Sequence, residues 1–126
     1  SLVTYLGRFA QDLASAAGVR CRIDMPTELP AWPVTAEVRH NLFLAFKEAL
    51  NNVVKHAGAG ELKIVLQLEA RSFTLVVEDD GKGFDPTVQF VGRGLANMKR
   101  RAASIGALLA IDNLSPGSRV SIRLQK

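Results

Sequence analysis

Hydrophobic residues recur along this chain with two different spacings. Apolar side chains three or four positions apart mark one face of an amphipathic helix, and this spacing occurs in three stretches: residues 2–17, 35–58 and 95–106. Strict alternation of apolar and polar residues is typical of a half-buried strand, and it occurs in five: residues 19–25, 62–68, 73–78, 109–111 and 120–124. The short turn at residues 71–72 predicts that the second and third strands form an antiparallel hairpin.

The strand pattern also predicts how the elements pack. Strands that alternate strictly have one apolar face, so helices should cover the sheet on one side only. We therefore predict an α/β fold, a two-layer α/β sandwich in which three helices cover one face of a mixed, mostly antiparallel sheet of about five strands. The length of 126 residues fits a single domain of this kind.

The composition narrows the class of partner. Sixteen basic residues stand against 12 acidic ones, for a net charge of +4, and they are scattered among only six Phe, one Trp and one Tyr. Nucleic-acid readers concentrate their basic residues beside stacking aromatics, so we expect no nucleic-acid partner. Every apolar run is too short to span a membrane, so we expect no membrane contact by this domain. The single cysteine, Cys21, excludes an internal disulfide.

Asp79 interrupts the simple pattern of core and surface. By parity it continues the inward face of Phe73, Leu75 and Val77, which would turn its carboxylate toward the helices. A buried carboxylate costs several kcal/mol unless a donor satisfies it, so on that face Asp79 would need a hydrogen-bond donor. The alternative is that the strand ends at Glu78 and leaves Asp79 in a solvated turn.

Two glycine pairs flank the loop that follows this strand. Gly81 and Gly83 lie directly after the acidic residues, and Gly92 and Gly94 lie directly before the third predicted helix. Glycine permits positive φ and close approach of a ligand to the backbone, and free amides at a helix N-terminus bind anions. One such pair alone is weak evidence, but two pairs at either end of one loop predict a phosphate site.

The long second helix carries an unusual polar group. Glu48 and Asn52 are four residues apart and therefore share a face, with Asn51 and Lys55 beside them. Asparagine is a poor helix former, so propensity does not explain two adjacent asparagines in a helix. They either hydrogen-bond a neighbouring loop or present oxygens to a hydrated Mg²⁺, which needs only one or two protein ligands when phosphates supply others.

These segments together resemble the ATP-binding catalytic domain of sensor histidine kinases. Residues 48–57 are similar to the N box of that family, residues 79–84 to its first glycine box, residues 92–98 to its second, and residues 116–120 to the segment before its last strand. The order and spacing are those of the superfamily that includes gyrase and MutL (the Bergerat fold). The amino-acid sequences of these boxes most resemble those of short-lid kinases of the nitrate-sensor and desaturase-sensor type.

The resemblance implies ATP and Mg²⁺ as cofactors and gives roles to the central residues. Asp79 would accept a hydrogen bond from the adenine amino group, and Asn52 would bind the metal with Asn51 as support. Glu48 would be the catalytic residue that polarises the attacking nucleophile. Gly81 and Gly83 would let the strand end bend over the nucleotide.

The resemblance also implies contacts to the ribose and phosphates. Gly92 and Gly94 would present amides to the phosphates, and the hydroxyl of Ser118 would reach a phosphate. Residues 84–91 would form a mobile lid. Further nucleotide-binding residues would be Lys55, His56, Phe84, Arg93 and Leu95. Two residues depart from the family pattern, Asp80 where Asn is common and Ser118 where Thr is common.

By the same resemblance, the γ-phosphoryl group would pass to a histidine on a dimerisation domain and then to a response regulator. Neither His40 nor His56 precedes an acidic residue, so neither fits the phosphoacceptor pattern. We expect residues 19–126 to be the catalytic domain and residues 1–18 to be a helix, the tail of a connection to the dimerisation domain. The apolar stripe of this helix would pack either on this domain or on a partner. We further expect a cytoplasmic, monomeric fragment of a homodimeric kinase. Alternatives are a serine kinase of the anti-sigma-factor type and a non-catalytic nucleotide-dependent module.

Overall fold

A computed structural model describes residues 1–27, 29, 34–83 and 94–125 of this chain. Its helices and strands follow the predicted order: α1 (Leu2–Ala17), β1 (Arg20–Asp24), α2 (Ala36–Asn52), β2 (Glu61–Leu68), β3 (Ser72–Asp79), α3 (Gly94–Ser104), β4 (Leu108–Asn113) and β5 (Ser118–Gln125). Within the described ranges, no helix is long and apolar enough to cross a membrane.

The five strands form one mixed sheet in the order β1-β2-β3-β5-β4. β1 pairs with β2 in parallel, and every other neighbouring pair is antiparallel. The predicted hairpin is present, since β2 and β3 pair from Leu62 opposite Asp79 to Leu68 opposite Phe73. The predicted two-layer α/β sandwich with a mixed, mostly antiparallel sheet is therefore confirmed.

The core lies between the helices and one face of the sheet. The inward residues of all three helices and of the central strands belong to one apolar cluster, whose largest fully buried members include Leu6, Leu42, Phe46, Leu75 and Met98. Because α1 contributes to this cluster, its apolar stripe packs on this domain, which was one of its two predicted arrangements. The opposite face of the sheet is polar, with an ion pair of 2.7 Å between Arg119 Nε and Glu78 Oε1.

Local signals explain where the helices begin and end. Thr35 caps α2, since its Oγ1 accepts a hydrogen bond of 3.1 Å from the Val38 N–H, and Gly18 ends α1 in the left-handed region with φ 73°. The sequence spacing predicted one continuous α-helix as far as Gly58. Instead, Val53–Ala57 wind as a π-helical turn before Gly58 at φ 61°. A single wider turn changes the apolar spacing too little for periodicity to detect it, yet such turns often occur near functional sites.

Candidate functional site

Asp79 is the last residue of β3, and its side chain is buried at 6% exposure. Its two neighbours in the sheet are Leu62 of β2 and Ser118 of β5. The inward direction predicted from strand parity is therefore correct, and the solvated-turn alternative is wrong.

The buried carboxylate is not left without donors. Ser118 Oγ donates to Asp79 Oδ2 over 2.6 Å, and the Gly81 N–H donates to Oδ1 over 2.8 Å. A carboxylate offers about four lone-pair directions, so these two bonds leave it able to accept from a ligand. The two bonds also fix its orientation, because one donor comes from β5 and the other from the loop after β3.

Glycine is required where the β4–β5 turn crosses the end of β3. Gly117 has φ 97°, and a Cβ built there would overlap the carbonyl oxygen of Asp79 and lie 2.7 Å from its carbonyl carbon. Gly83 has φ 82°, and a Cβ there would lie 2.9 Å from the Gly117 carbonyl oxygen. The backbones of these three residues are thus stacked so closely that side chains on the two glycines are excluded.

Asp80 ties the same strand end to the chain that follows α2. Its Oδ1 accepts hydrogen bonds of 2.9 Å from both the Gly60 N–H and the Glu61 N–H. These two bonds hold the pKa of the Asp80 carboxyl below its ordinary value, because they stabilise the ionised form. Lys82 lies beside Gly58, since its Cε would be 3.6 Å from a Cβ built there. The first glycine box therefore packs against residues 58–61, which directly follow the N box.

The polar residues of α2 remain partly open to solvent. Glu48, Asn51 and Asn52 are half-buried, and Lys55 is exposed. No hydrogen bond joins the side chains of Glu48, Asn51 or Asn52 to other residues in the described ranges. The alternative in which the two asparagines bind a neighbouring loop is therefore not seen there. These ranges also contain no group of three or more His, Cys, Asp and Glu that could hold a metal ion alone.

The second glycine box leads directly into α3. The helix begins at Gly94, one residue before the predicted start, and Leu95 is half-buried in its first turn. Several predicted site residues lie outside the described part of the chain: Phe84, Gly92, Arg93 and the side chain of His56. The predicted lid, residues 84–91, also lies outside it.

Comparison with known proteins agrees with this arrangement. A family model described as the histidine kinase-like ATPase domain matches residues 9–110. This chain belongs to that family. Membership implies a nucleotide-binding domain, and in sensor histidine kinases such a domain acts with a phosphoacceptor and dimerisation domain.

Individual relatives of this histidine kinase-like ATPase domain are sensor kinases. The chain is 38% identical to the signal transduction histidine-protein kinase/phosphatase UhpB of Salmonella typhimurium over 68% of its own length and 17% of that protein. It is 33% identical to the sensor histidine kinase LnrJ of Bacillus subtilis over 90% of its own length and 27% of that protein. The chain thus spans a minor part of the curated relatives that it matches.

A solved structure supports the same fold. The blue-light activated histidine kinase EL346 of Erythrobacter litoralis superposes with a TM-score of 0.83 at 21% identity, over 98% of this chain and 41% of that protein. At this identity the likeness concerns the fold of the ATPase domain.

One residue of this ATPase domain makes a contact that the sequence did not predict. Ser118 Oγ lies 2.6 Å from the Asp79 carboxylate and donates to it, and its predicted contact with a phosphate stays a prediction. The reason is register, because Ser118 is the residue of β5 directly opposite Asp79. The hydroxyl therefore belongs to the carboxylate end of the site.

Sequence reasoning gave no role to two residues that shape the site. Gly117 was only part of a matching segment, although a Pro-Gly pair between two predicted strands is a turn signal that could have singled it out. Asp80 was noted only as a departure from the family pattern. Its backbone partners, Gly60 and Glu61, are about 20 residues away in sequence, so no local pattern shows that contact.

Proposed function

We propose that this chain is the ATP-binding catalytic domain of a sensor histidine kinase, which positions Mg²⁺-bound ATP for transfer of the γ-phosphoryl group to a histidine on a separate dimerisation domain. The observation that carries the proposal is the buried carboxylate of Asp79, held by Ser118 and Gly81 with acceptor capacity to spare. Family membership supports it independently.

Adenine recognition follows from the chemistry of that carboxylate. The exocyclic amino group of adenine is a donor, whereas guanine and hypoxanthine carry a carbonyl oxygen at the same ring position. An ionised carboxylate only accepts, so Asp79 selects a donor and repels an acceptor. Because the group is buried, such a charge-assisted bond is stronger than the same bond in water.

Metal binding is assigned to α2, where the donor set fits Mg²⁺. Asn52 would hold the ion through its amide oxygen, with Asn51 beside it and phosphate oxygens and water completing the shell. A bound Mg²⁺ would neutralise charge on the phosphates. One neutral protein oxygen is enough for an ion that keeps most of its water, which agrees with the lack of a larger ligand cluster in the described ranges.

The chemical step asks little more of this chain than alignment. Phosphoryl transfer depends on positioning and charge stabilisation rather than on a covalent intermediate. Glu48, one helical turn before Asn52, would accept a hydrogen bond from the attacking imidazole and orient it, and the amides at the start of α3 would hold phosphate oxygens. The phosphorylated histidine would then donate its phosphoryl group to a response regulator. The whole protein would be a cytoplasmic homodimeric kinase.

Calorimetric titration with Mg-ADP tests the nucleotide site. We expect saturable binding by the native chain and loss of the Mg²⁺-dependent part of the affinity in Asn52→Leu, because leucine has no oxygen to offer the metal. Glu48→Gln should bind Mg-ADP normally but fail to phosphorylate a supplied dimerisation domain. Absence of any nucleotide binding by a folded native chain would refute the proposal.

The chemical stability of the product identifies the acceptor. A phosphoramidate on histidine is labile in acid, whereas a phosphate ester on serine survives it. Both curated relatives named above are histidine kinases, so we expect an acid-labile product on a dimerisation domain. An acid-stable product on an anti-anti-sigma partner would instead identify the serine kinase alternative.

A further inference from the structure

A buried amide joins the two helices that carry the site. Asn41 lies on α2 at 8% exposure, beside the fully buried Leu42 and Ala45. Its Nδ2 donates to the Glu37 carbonyl oxygen over 3.0 Å, and its Oδ1 accepts from Arg101 Nη1 of α3 over 3.3 Å. The orientation of the amide is determined, because a carbonyl can only accept and a guanidinium can only donate.

Propensity and packing do not account for this pair. Asparagine is a poor helix former, and a buried amide costs free energy unless both of its ends are satisfied. Arg101 lies between Met98 and Ala102, which are buried against the core at 0% and 2% exposure. None of the ion pairs found within the described ranges involves Arg101. Among the described residues, the hydrogen-bond partner of its guanidinium is therefore Asn41 of α2.

The hydrogen bond between Asn41 and Arg101 adds a directional constraint to the apolar packing of α3 on α2. Apolar packing is nearly non-directional, so Met98 and Ala102 hold α3 on α2 without strongly fixing its position along the axis. A hydrogen bond between two side chains weakens steeply when its angle or length changes. Sliding α3 by one residue, about 1.5 Å, would break it.

We propose that the Asn41–Arg101 hydrogen bond is a positioning device, which sets α3 against α2 so that the amides at Gly94 lie where the phosphates of ATP bind. This inference rests on the proposed function. Gly94 is seven residues before Arg101 on a continuous helix, so a displacement at Arg101 is transmitted to the helix N-terminus. Asp79 is held instead by β5 and its own loop, and does not depend on the pair.

The pair should therefore affect the phosphate contacts and spare the adenine contacts. We expect Arg101→Met to weaken binding of a non-hydrolysable ATP analogue at least tenfold while changing adenosine binding less than twofold. Arg101→Lys should restore part of the loss, because a lysine can still donate to Asn41. Arg100→Met is the matched control: Arg100 is exposed and donates to Asn97 of its own helix over 2.8 Å, so removing its charge should leave the ratio of the two affinities unchanged.

Calorimetry on the full chain with both ligands decides the matter. Asn41→Leu and the double variant, Asn41→Leu with Arg101→Met, should each show the same selective loss of ATP-analogue affinity. The double variant should bind the analogue no more weakly than the weaker-binding single variant. Equal weakening of adenosine and ATP binding would show a merely structural role and overturn the proposal, and so would unchanged affinities for both ligands. If Arg101→Met does not fold, Asn41→Ser removes the same bond with a smaller change. Failure of the native chain to bind either ligand would refute the proposed function instead.

Discussion

Replacing Gly117 by alanine tests whether the close approach of the β4–β5 turn to β3 supports the site. The added Cβ would overlap the Asp79 carbonyl oxygen and lie 3.0 Å from Asp80 Cα. Both neighbours are backbone atoms, so no side chain can rotate away. The strand end must move, and the carboxylate of Asp79 moves with it.

The expected cost has two parts. Alanine at φ 97° is strained, which costs roughly 1–3 kcal/mol, and the overlap adds about 1–3 kcal/mol more. The two costs sum to about 2–6 kcal/mol, so at about 4 °C per kcal/mol for a domain of this size the melting temperature should fall by roughly 8–24 °C. Displacing Asp79 should also cost one charge-assisted hydrogen bond to adenine, about 1.5–3 kcal/mol, or at least a tenfold loss of ADP affinity.

Gly106→Ala is the matched control. Gly106 also has positive φ, 69°, but a Cβ built there meets nothing within 4 Å. This variant should therefore lose only the stability that backbone strain costs, about 1–2 kcal/mol, and should keep its ADP affinity. Thermal unfolding and calorimetry on both variants measure the difference. If Gly117→Ala is no less stable than Gly106→Ala and binds ADP equally well, the reasoning about the stacked backbones is wrong.

Three further predictions use other parts of the structure. Ser118→Ala removes the donor to Asp79 Oδ2 and should weaken the binding of ADP and of AMP by a similar factor, several-fold, as measured by calorimetry. A loss confined to ADP would instead support the predicted phosphate contact of Ser118. Asp80 has a lowered pKa in the folded state, so its stabilisation is present above its unfolded pKa of about 3.9 and is lost as pH falls through the folded value. Urea unfolding between about pH 5 and pH 3 should therefore show a steeper loss for the native chain than for Asp80→Asn, which still accepts hydrogen bonds; equal slopes would contradict this. Phe46→Ala should cost about 3–5 kcal/mol by urea unfolding at pH 7, because Phe46 is fully buried, and a cost below about 1 kcal/mol would mean that the core is wrongly described.

The fold could be predicted largely from periodicity. Alternation along residues 73–78 identified both the strand and its inward face, and its parity indicated that Asp79 points inward, although it left open that the strand ends at Glu78. Thr35 and Gly18 marked helix ends because capping depends on local side chains and on permitted φ. The π-helical turn at Val53–Ala57 was missed, since its spacing differs from an α-helix by a fraction of a residue.

The parts of the site that could not be predicted depend on contacts between distant residues. Ser118 lies 39 residues after Asp79, and only the register of β5 brings its hydroxyl to the carboxylate. Asn41 and Arg101 are 60 residues apart, and nothing in either helix alone indicates that they meet. The roles of Glu48 and Asn52 stay predictions, because they depend on the nucleotide itself.

Discrimination between ADP and IDP measures the central claim most directly. The two nucleotides share ribose, phosphates and metal, and differ in that IDP carries a carbonyl oxygen where ADP carries the amino group. If Asp79 recognises that amino group, the native chain should bind Mg-ADP at least tenfold more tightly than Mg-IDP, and Asp79→Asn should reduce the difference because its amide can donate to the carbonyl. Equal affinities of the native chain for the two nucleotides would contradict the account.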